Sequence, residues 1–150
     1  MSDIESIKAQ LEICRIKARQ MRMVDSKDWA GYAATLTADF VLDLTQGVPM
    51  PIINGRDAAV DALQQALATA VTIHHAHAPE FEVKGDEVNV SWAIQDRLIL
   101  GPDQPSYLNF AQHHDRWVRQ AGQWKLAVHR RVLVHTDTYP PAAAPPKAAG

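Results

Sequence analysis

Three ionisable residues stand where the surrounding pattern calls for apolar side chains. Asp25 continues a helical series, Ile4, Ile7, Leu11, Cys14, Ala18 and Met21, that steps by three and four residues. Asp96 interrupts the alternating set Val88, Val90, Trp92, Ile94, Leu98 and Leu100. Arg130 does the same among Trp124, Leu126, Val128 and Val132. Beside them runs a histidine cluster, Thr72-Ile73-His74-His75-Ala76-His77. In an extended chain His74 shares a face with Thr72 and Ala76, while His75 and His77 point the other way. A lone charge on a core face is costly or shifts its pKa, so several of them predict a polar pocket inside the core. The chemistry such a set supports is proton transfer. A carboxylate beside an imidazole fixes its tautomer and stabilises the imidazolium, which makes the other ring nitrogen a general base.

The elements that must position these groups follow from periodicity and turn signals. The stripe from Ile4 to Met21 predicts a long first helix, with Asp25 at its end. Ser26 or Asp28 caps a short second helix with Trp29, Tyr32, Ala33 and Leu36 on its apolar face. Phe40-Val41-Leu42-Asp43-Leu44 reads as a strand, Asn54-Gly55 as a turn, and 57–70 as a third helix with Val60, Leu63 and Leu67 inward. The rest reads as β: 71–78 ended by Pro79, 80–83, a Gly85-Asp86 hairpin, a long strand from Val88 to Leu100, then 107–119 and 124–135 joined at Ala121-Gly122. Helices first and antiparallel strands after them predict an α+β domain with helices on one face of a curved sheet.

Composition bounds the function. The chain has 150 residues, 47% apolar and 21% charged, with a net charge of −2. That predicts one globular domain over 1–138 with no field for nucleic acid. The Pro/Ala-rich stretch 139–150 reads as a flexible tail. No apolar run approaches the ~18 residues of a membrane span. The polar start MSDIESIKAQ is unlike a signal peptide, and the single Cys14 leaves no internal disulfide. The expected setting is the cytoplasm and the expected partner a small molecule.

Short segments also carry a family resemblance. Val24-Asp25-Ser26-Lys27-Asp28-Trp29 resembles the end of the first helix in scytalone dehydratases. Thr72-Ile73-His74 resembles the strand bearing their catalytic histidine, and Gly122-Gln123-Trp124-Lys125-Leu126 is similar to their final hairpin. His75 to Val83, followed by Gly85-Asp86, looks like the SnoaL-like polyketide cyclases. All are nuclear transport factor 2-like proteins, and the resemblance spans roughly residues 5–136. It implies a cone-shaped, curved mixed or antiparallel sheet wrapped by N-terminal helices. It also implies that Asp25 and His74 are a catalytic dyad. The same pair occurs in hexachlorocyclohexane dehydrochlorinase, which performs a base-initiated elimination. Asp96 and His113 match positions near the family pocket, and that pocket works without a metal or cofactor. The chain departs from scytalone dehydratase at three places. Val24 stands where a tyrosine precedes the dyad aspartate, and Ala111 and His113 replace a serine and an asparagine. Tyr32 is the phenol that could substitute for the missing tyrosine.

The implied activity is a cofactor-independent dehydratase for a small hydroxylated cyclic or aromatic compound. His74 takes the proton, Asp25 orients it, and Tyr32, Asp96, His113 or Arg130 binds the substrate. An isomerase or cyclase in the same pocket, or a non-catalytic dimeric binding module, uses the same fold. Each residue also has a plainer reading. Asp25 could cap a helix, His74 could be a satisfied core histidine, and Asp96 could pair with Arg130 or Arg97. His75 and His77 could hold a metal, although no cysteine is near. His113, His114 and His129 could lie at the surface or an interface. Trp92, Trp117 and Trp124 read as core and sheet packing, and Cys14 as a small buried hydrophobe. The open face of the sheet, with Trp117 and Val118, predicts a homodimer or small homo-oligomer.

Overall fold

The structure is a computed structural model and describes residues 2–141. Most of the tail expected over 139–150 therefore lies outside the described residues, while Tyr139 ends the last strand. The chain runs α1 (Asp3–Asp25), α2 (Trp29–Ala34), β1 (Leu36–Gln46), β2 (Ile53–Asn54), α3 (Arg56–Ala66), β3 (Val71–Lys84), β4 (Glu87–Ile99), β5 (Ser106–Gln120) and β6 (Gln123–Tyr139). The six strands form one sheet in the order β2-β1-β6-β5-β4-β3. β1 pairs with β6 in parallel and every other pair is antiparallel. The fold is the α+β, unclosed cone expected from the sequence.

Local chemistry fixes the ends. Ser2 and Glu5 close a reciprocal capping box on α1, satisfying backbone N–H groups that the first turn leaves free. Asp28 caps α2 by accepting from the Gly31 N–H at 2.9 Å. The β5–β6 hairpin turns through Ala121 and Gly122, both at positive φ (48° and 78°), the geometry that matches the strands' twist.

Four expectations are corrected. The series Ile4, Ile7 and Leu11 faces solvent, at 67%, 56% and 54% exposure. The buried face of α1 is Ala9, Ile13, Lys17, Gln20 and Val24. From position 13 onward it lies one residue before the expected stripe, a rotation of about 100°. Polar partners make this possible: Gln20 donates to Thr35 Oγ1 at 2.7 Å, and Lys17 pairs inside the sheet as described below. Leu36 opens β1 instead of closing α2, and α3 ends at Ala66. Pro79 does not end a strand. Ala78, at φ 46°, and Pro79 form a bulge opposite Trp92 within continuous β3, which bends the sheet there.

The core lies between α1, α2 and α3 and the inner face of the sheet. Ile13, Phe40, Leu42, Val88, Val90, Trp117 and Leu126 are among its most deeply buried side chains. Trp92, Trp117 and Trp124 are all core residues. Trp117 is 0% exposed, so it cannot contribute to a surface patch.

Candidate active site

The inner face carries its polar side chains in rows set by strand register. His74 on β3 lies opposite Asp96 on β4, which lies opposite Asn109 on β5. Trp92 lies opposite His113, which lies opposite Arg131 on β6. Asp115 lies opposite His129. The last turn of α1 crosses β3 at the first of these rows.

There Asp25 accepts three hydrogen bonds. His74 Nδ1 donates at 2.6 Å, the His74 backbone N–H at 3.0 Å and Thr72 Oγ1 at 2.9 Å. Burial pushes the Asp25 carboxyl up, but these donors and the His74 charge outweigh it and hold the pKa below the ordinary carboxylate value. An ionised carboxylate only accepts, so the proton of a neutral His74 sits on Nδ1 and Nε2 keeps a free lone pair. The two side chains keep 19% and 25% of their surface, so both reach solvent. Lys27, in left-handed backbone at φ 63°, tucks its ammonium out of water near Asp25. Its Nζ has no hydrogen-bond partner among the described residues.

The sheet brings Asp96 beside this dyad. Asp96 accepts from Asn109 Nδ2 at 2.7 Å and from Arg131 Nη2 at 2.8 Å. Asn109 Oδ1 in turn accepts from Thr136 at 2.8 Å. The expected pairing of Asp96 with Arg130 or Arg97 is therefore replaced by pairing with Arg131. Arg97 instead donates to Ser106 Oγ at 2.8 Å and lies over the Tyr139 ring.

Arg130 is misplaced by the sequence pattern. Arg116 pairs with Val128 and Trp117 with Leu126, so Ala127 is an extra residue on β6. This bulge reverses the alternation beyond it: His129 and Arg131 point inward, and Arg130 is exposed, 3.8 Å from Asp43.

Tyr32 and His113 belong to a second, deeper cluster. Lys17 Nζ lies 2.6 Å from Asp115 Oδ2 and 3.2 Å from His113 Nδ1. It also sits 5.6 Å from the centre of the Trp92 ring. His129 Nδ1 donates to Asp115 Oδ1 at 2.7 Å. His113 and His129 meet edge to face, with ring centres 4.3 Å apart. Burial, reinforced by the charges of His129, Lys17, Arg131 and His74, pushes His113 well below the usual imidazole value. Burial also lowers His129, outweighing the opposing pull of Asp115. Asp115 is held below the usual carboxylate range: burial raises it, but Lys17 and His129 more than offset this. Tyr32 is buried in the core; burial and the Asp115 charge push its phenol up. It makes no hydrogen bond to the dyad among the described residues. His129, an alternative surface or interface residue from sequence, is buried.

Of the residues expected from sequence, the structure brings Asp25 and His74 into contact, sets Asp96 opposite His74 and puts His113 in the deeper cluster. The pattern did not single out Lys17, Asn109, Asp115, His129 and Arg131 as site residues. Asp115 carried a usable signal, since it shares parity with Ala111, His113 and Trp117 on β5. His75 and His77 lie on the outer face, 6.4 Å apart between ring centres. Among the described residues, no group of three or more His, Cys, Asp or Glu is arranged to hold a metal ion. No described helix is long and apolar enough to cross a membrane. Two surface clefts lie elsewhere, one beside Arg15, Arg19 and Lys125, the other beside Lys8, Asp86 and Arg119.

A cone of mixed sheet wrapped by N-terminal helices, with an Asp–His pair where the first helix meets the sheet, places the protein among the nuclear transport factor 2-like folds. Residues 5–130 match the SnoaL-like domain, and the chain belongs to that family. No curated protein matches the sequence. Solved structures show the fold more widely. A scytalone dehydratase candidate from Novosphingobium aromaticivorans DSM 12444 superposes with a TM-score of 0.80 at 20% identity, covering 97% of this chain and 99% of that one. A hexachlorocyclohexane dehydrochlorinase, LinA type 2, superposes at 0.81 with 22% identity, covering 98% and 100%. ActVI-ORFA from Streptomyces coelicolor superposes at 0.67 with 22% identity, covering 85% and 98%.

Proposed function

We propose that the protein is a cofactor-independent carbon–oxygen lyase acting on a small hydroxylated cyclic or aromatic compound. The observation that carries this reading is the 2.6 Å contact between His74 Nδ1 and Asp25 Oδ1, which leaves Nε2 of a partly exposed imidazole free as a base. Nε2 takes a proton from the carbon next to an activating carbonyl or aryl group. The C–H electron pair becomes the new C=C bond as the C–O bond breaks. The hydroxyl leaves as water after taking a proton from the imidazolium, which restores the base. Asp25 stabilises the imidazolium in between. Arg131, fixed by Asp96, and the His113 ring provide donors for the oxygen that gains charge in the transition state. Names of structural relatives that are a dehydratase candidate and a dehydrochlorinase agree with elimination.

The test is a panel of β-hydroxy ketones and hydroxylated aromatics, followed by absorbance of the conjugated product and by deuterium wash-in from D2O. Product formation that disappears in His74→Ala and Asp25→Asn, with the fold retained by circular dichroism, supports the lyase. Wash-in or double-bond migration without loss of water replaces it with an isomerase. Turnover surviving in either variant sinks the dyad mechanism.

For assembly, a second copy on the outer face of the sheet is our reading, since Val71, Ile73 and Phe110 are 56%, 45% and 36% exposed there. Light scattering of the native protein against Ile73→Asp tests it, and a monomeric native protein excludes it.

A further inference from the structure

The buried cluster under α1 has no part in the proton transfer itself, yet one of its members, His113, shares the inner face of the sheet with the row that begins at His74. We infer that Lys17 is a positioning residue that fixes His113 as the Nε2–H tautomer, so that a neutral imidazole presents a permanent donor to a carbonyl oxygen of the substrate. The role in turnover rests on the lyase reading; the tautomer does not.

Donors and acceptors around Lys17 and His113 can be counted one by one. Lys17 Nζ is 2.6 Å from Asp115 Oδ2, with side-chain exposures of 2% and 0%, so the pair is an ammonium against a carboxylate. An ammonium has three protons and no lone pair. One points to Asp115, and another to His113 Nδ1 at 3.2 Å. The cation also lies against the Trp92 face, 5.6 Å from its centre, a favourable place for charge. A nitrogen receiving a proton from Lys17 cannot carry its own, so His113 bears its proton on Nε2. An imidazolium is excluded by the same contact, and by the burial that lowers the His113 pKa. His129 takes the opposite tautomer, because Asp115 Oδ1 accepts from its Nδ1 at 2.7 Å. One lysine and one aspartate therefore set two adjacent rings in opposite senses.

His113 Nε2 has no hydrogen-bond acceptor among the described residues. The ring stands opposite Arg131, which reaches Asp96 at 2.8 Å in the row that begins with His74. A neutral N–H at this place donates to a developing oxyanion without repelling the imidazolium that forms on His74.

The closing experiment is long-range 1H–15N correlation on the full, 15N-labelled chain at neutral pH, with His113→Gln used to assign the ring among seven histidines. The expected spectrum shows one protonated nitrogen, Nε2, and an unprotonated Nδ1. A His113 protonated on Nδ1, doubly protonated, or averaging between tautomers overturns the inference without any variant. In Lys17→Met the ring should begin to average, and Lys17→Arg should restore the fixed tautomer. An unchanged ring in folded Lys17→Met also overturns it. On an active substrate, Lys17→Met should lower kcat at least about tenfold with little change in KM, and Lys17→Arg should recover part of the loss. A native Nε2–H tautomer in a protein that turns over nothing in the panel retires the lyase and leaves the tautomer assignment standing. Full activity with an Nδ1–H ring does the reverse.

Discussion

Two Asp–His pairs sit on the same face of the same sheet with nearly the same contact, and their surroundings give them different work. His74 Nδ1 meets Asp25 at 2.6 Å and His129 Nδ1 meets Asp115 at 2.7 Å. In the first pair both side chains reach solvent, and the carboxylate's partners are the imidazole, a backbone N–H and a hydroxyl. In the second the carboxylate is 0% exposed and already balanced by Lys17. An aspartate with no cation other than the imidazole hydrogen-bonded to it can stabilise an imidazolium that forms during a reaction; the Lys27 ammonium lies near Asp25 but bonds nothing among the described residues. One whose charge is satisfied, beside a histidine that burial keeps neutral, stabilises a structure instead. The contact distance is nearly the same in the two pairs; exposure and a directly bonded third charge are what differ.

The largest expected effect lies at the first pair. Asp25→Asn removes the partner that stabilises the imidazolium and should lower kcat on an active substrate by about 10²–10⁴-fold. The melting temperature should change little. A variant whose turnover falls only as far as its folded fraction falls would make Asp25 the structural member and break the comparison.

At the second pair the balance reverses. Asp115→Asn leaves the Lys17 ammonium buried without its counter-charge, and breaking such a pair costs about 3–5 kcal/mol. Urea denaturation should show that loss. If the cost is under about 1 kcal/mol, water reaches the cluster and the contrast in burial fails.

Smaller and more diagnostic is the pH dependence. His113 and His129 both have folded pKa values below 6.5. Below that pH the unfolded chain takes up protons that the folded chain refuses. Stability is therefore full above 6.5 and falls as pH drops toward the folded values, by up to about 1.4 kcal/mol per pH unit for each histidine. Asp25 and Asp115 have pKa values lowered below 3.8, so what they contribute is present above that value and is lost only in stronger acid. Urea midpoints between pH 7 and 5 should fall for the native protein and fall less for His113→Gln.

The dyad was legible in the sequence because it needs only two residue types at the end of a helix and inside a strand, flanked by family-like segments. The helix order, the hairpins and the tryptophan core were legible for the same reason: each depends on local pattern. The buried cluster was not. Lys17 and Gln20 occupy two of the five buried positions of α1, so the more apolar stripe through Ile4, Ile7 and Leu11 looked like the core face. Only residues about a hundred positions away on β5 make a lysine acceptable there. The bulge at Ala127 was hidden in a similar way, because it exists only as a mismatch between β6 and β5.

That bulge yields the smallest and sharpest expectation. Arg130 and Arg131 are adjacent and chemically identical, and one extra residue upstream decides which of them serves the site. Arg130 is exposed and only 3.8 Å from Asp43, so Arg130→Ala should change stability by no more than about 0.5 kcal/mol and activity by less than about twofold. Arg131→Ala removes the 2.8 Å partner of a buried Asp96 and a donor next to the dyad, and both quantities should fall clearly. Deleting Ala127 removes the bulge but leaves Val128 opposite Arg116, so Arg131 should stay inward and the two arginines' sensitivities should keep their order, provided the chain still folds. Equal effects of the two alanine variants would mean that β6 does not hold one register, and the inner-face rows would have to be redrawn.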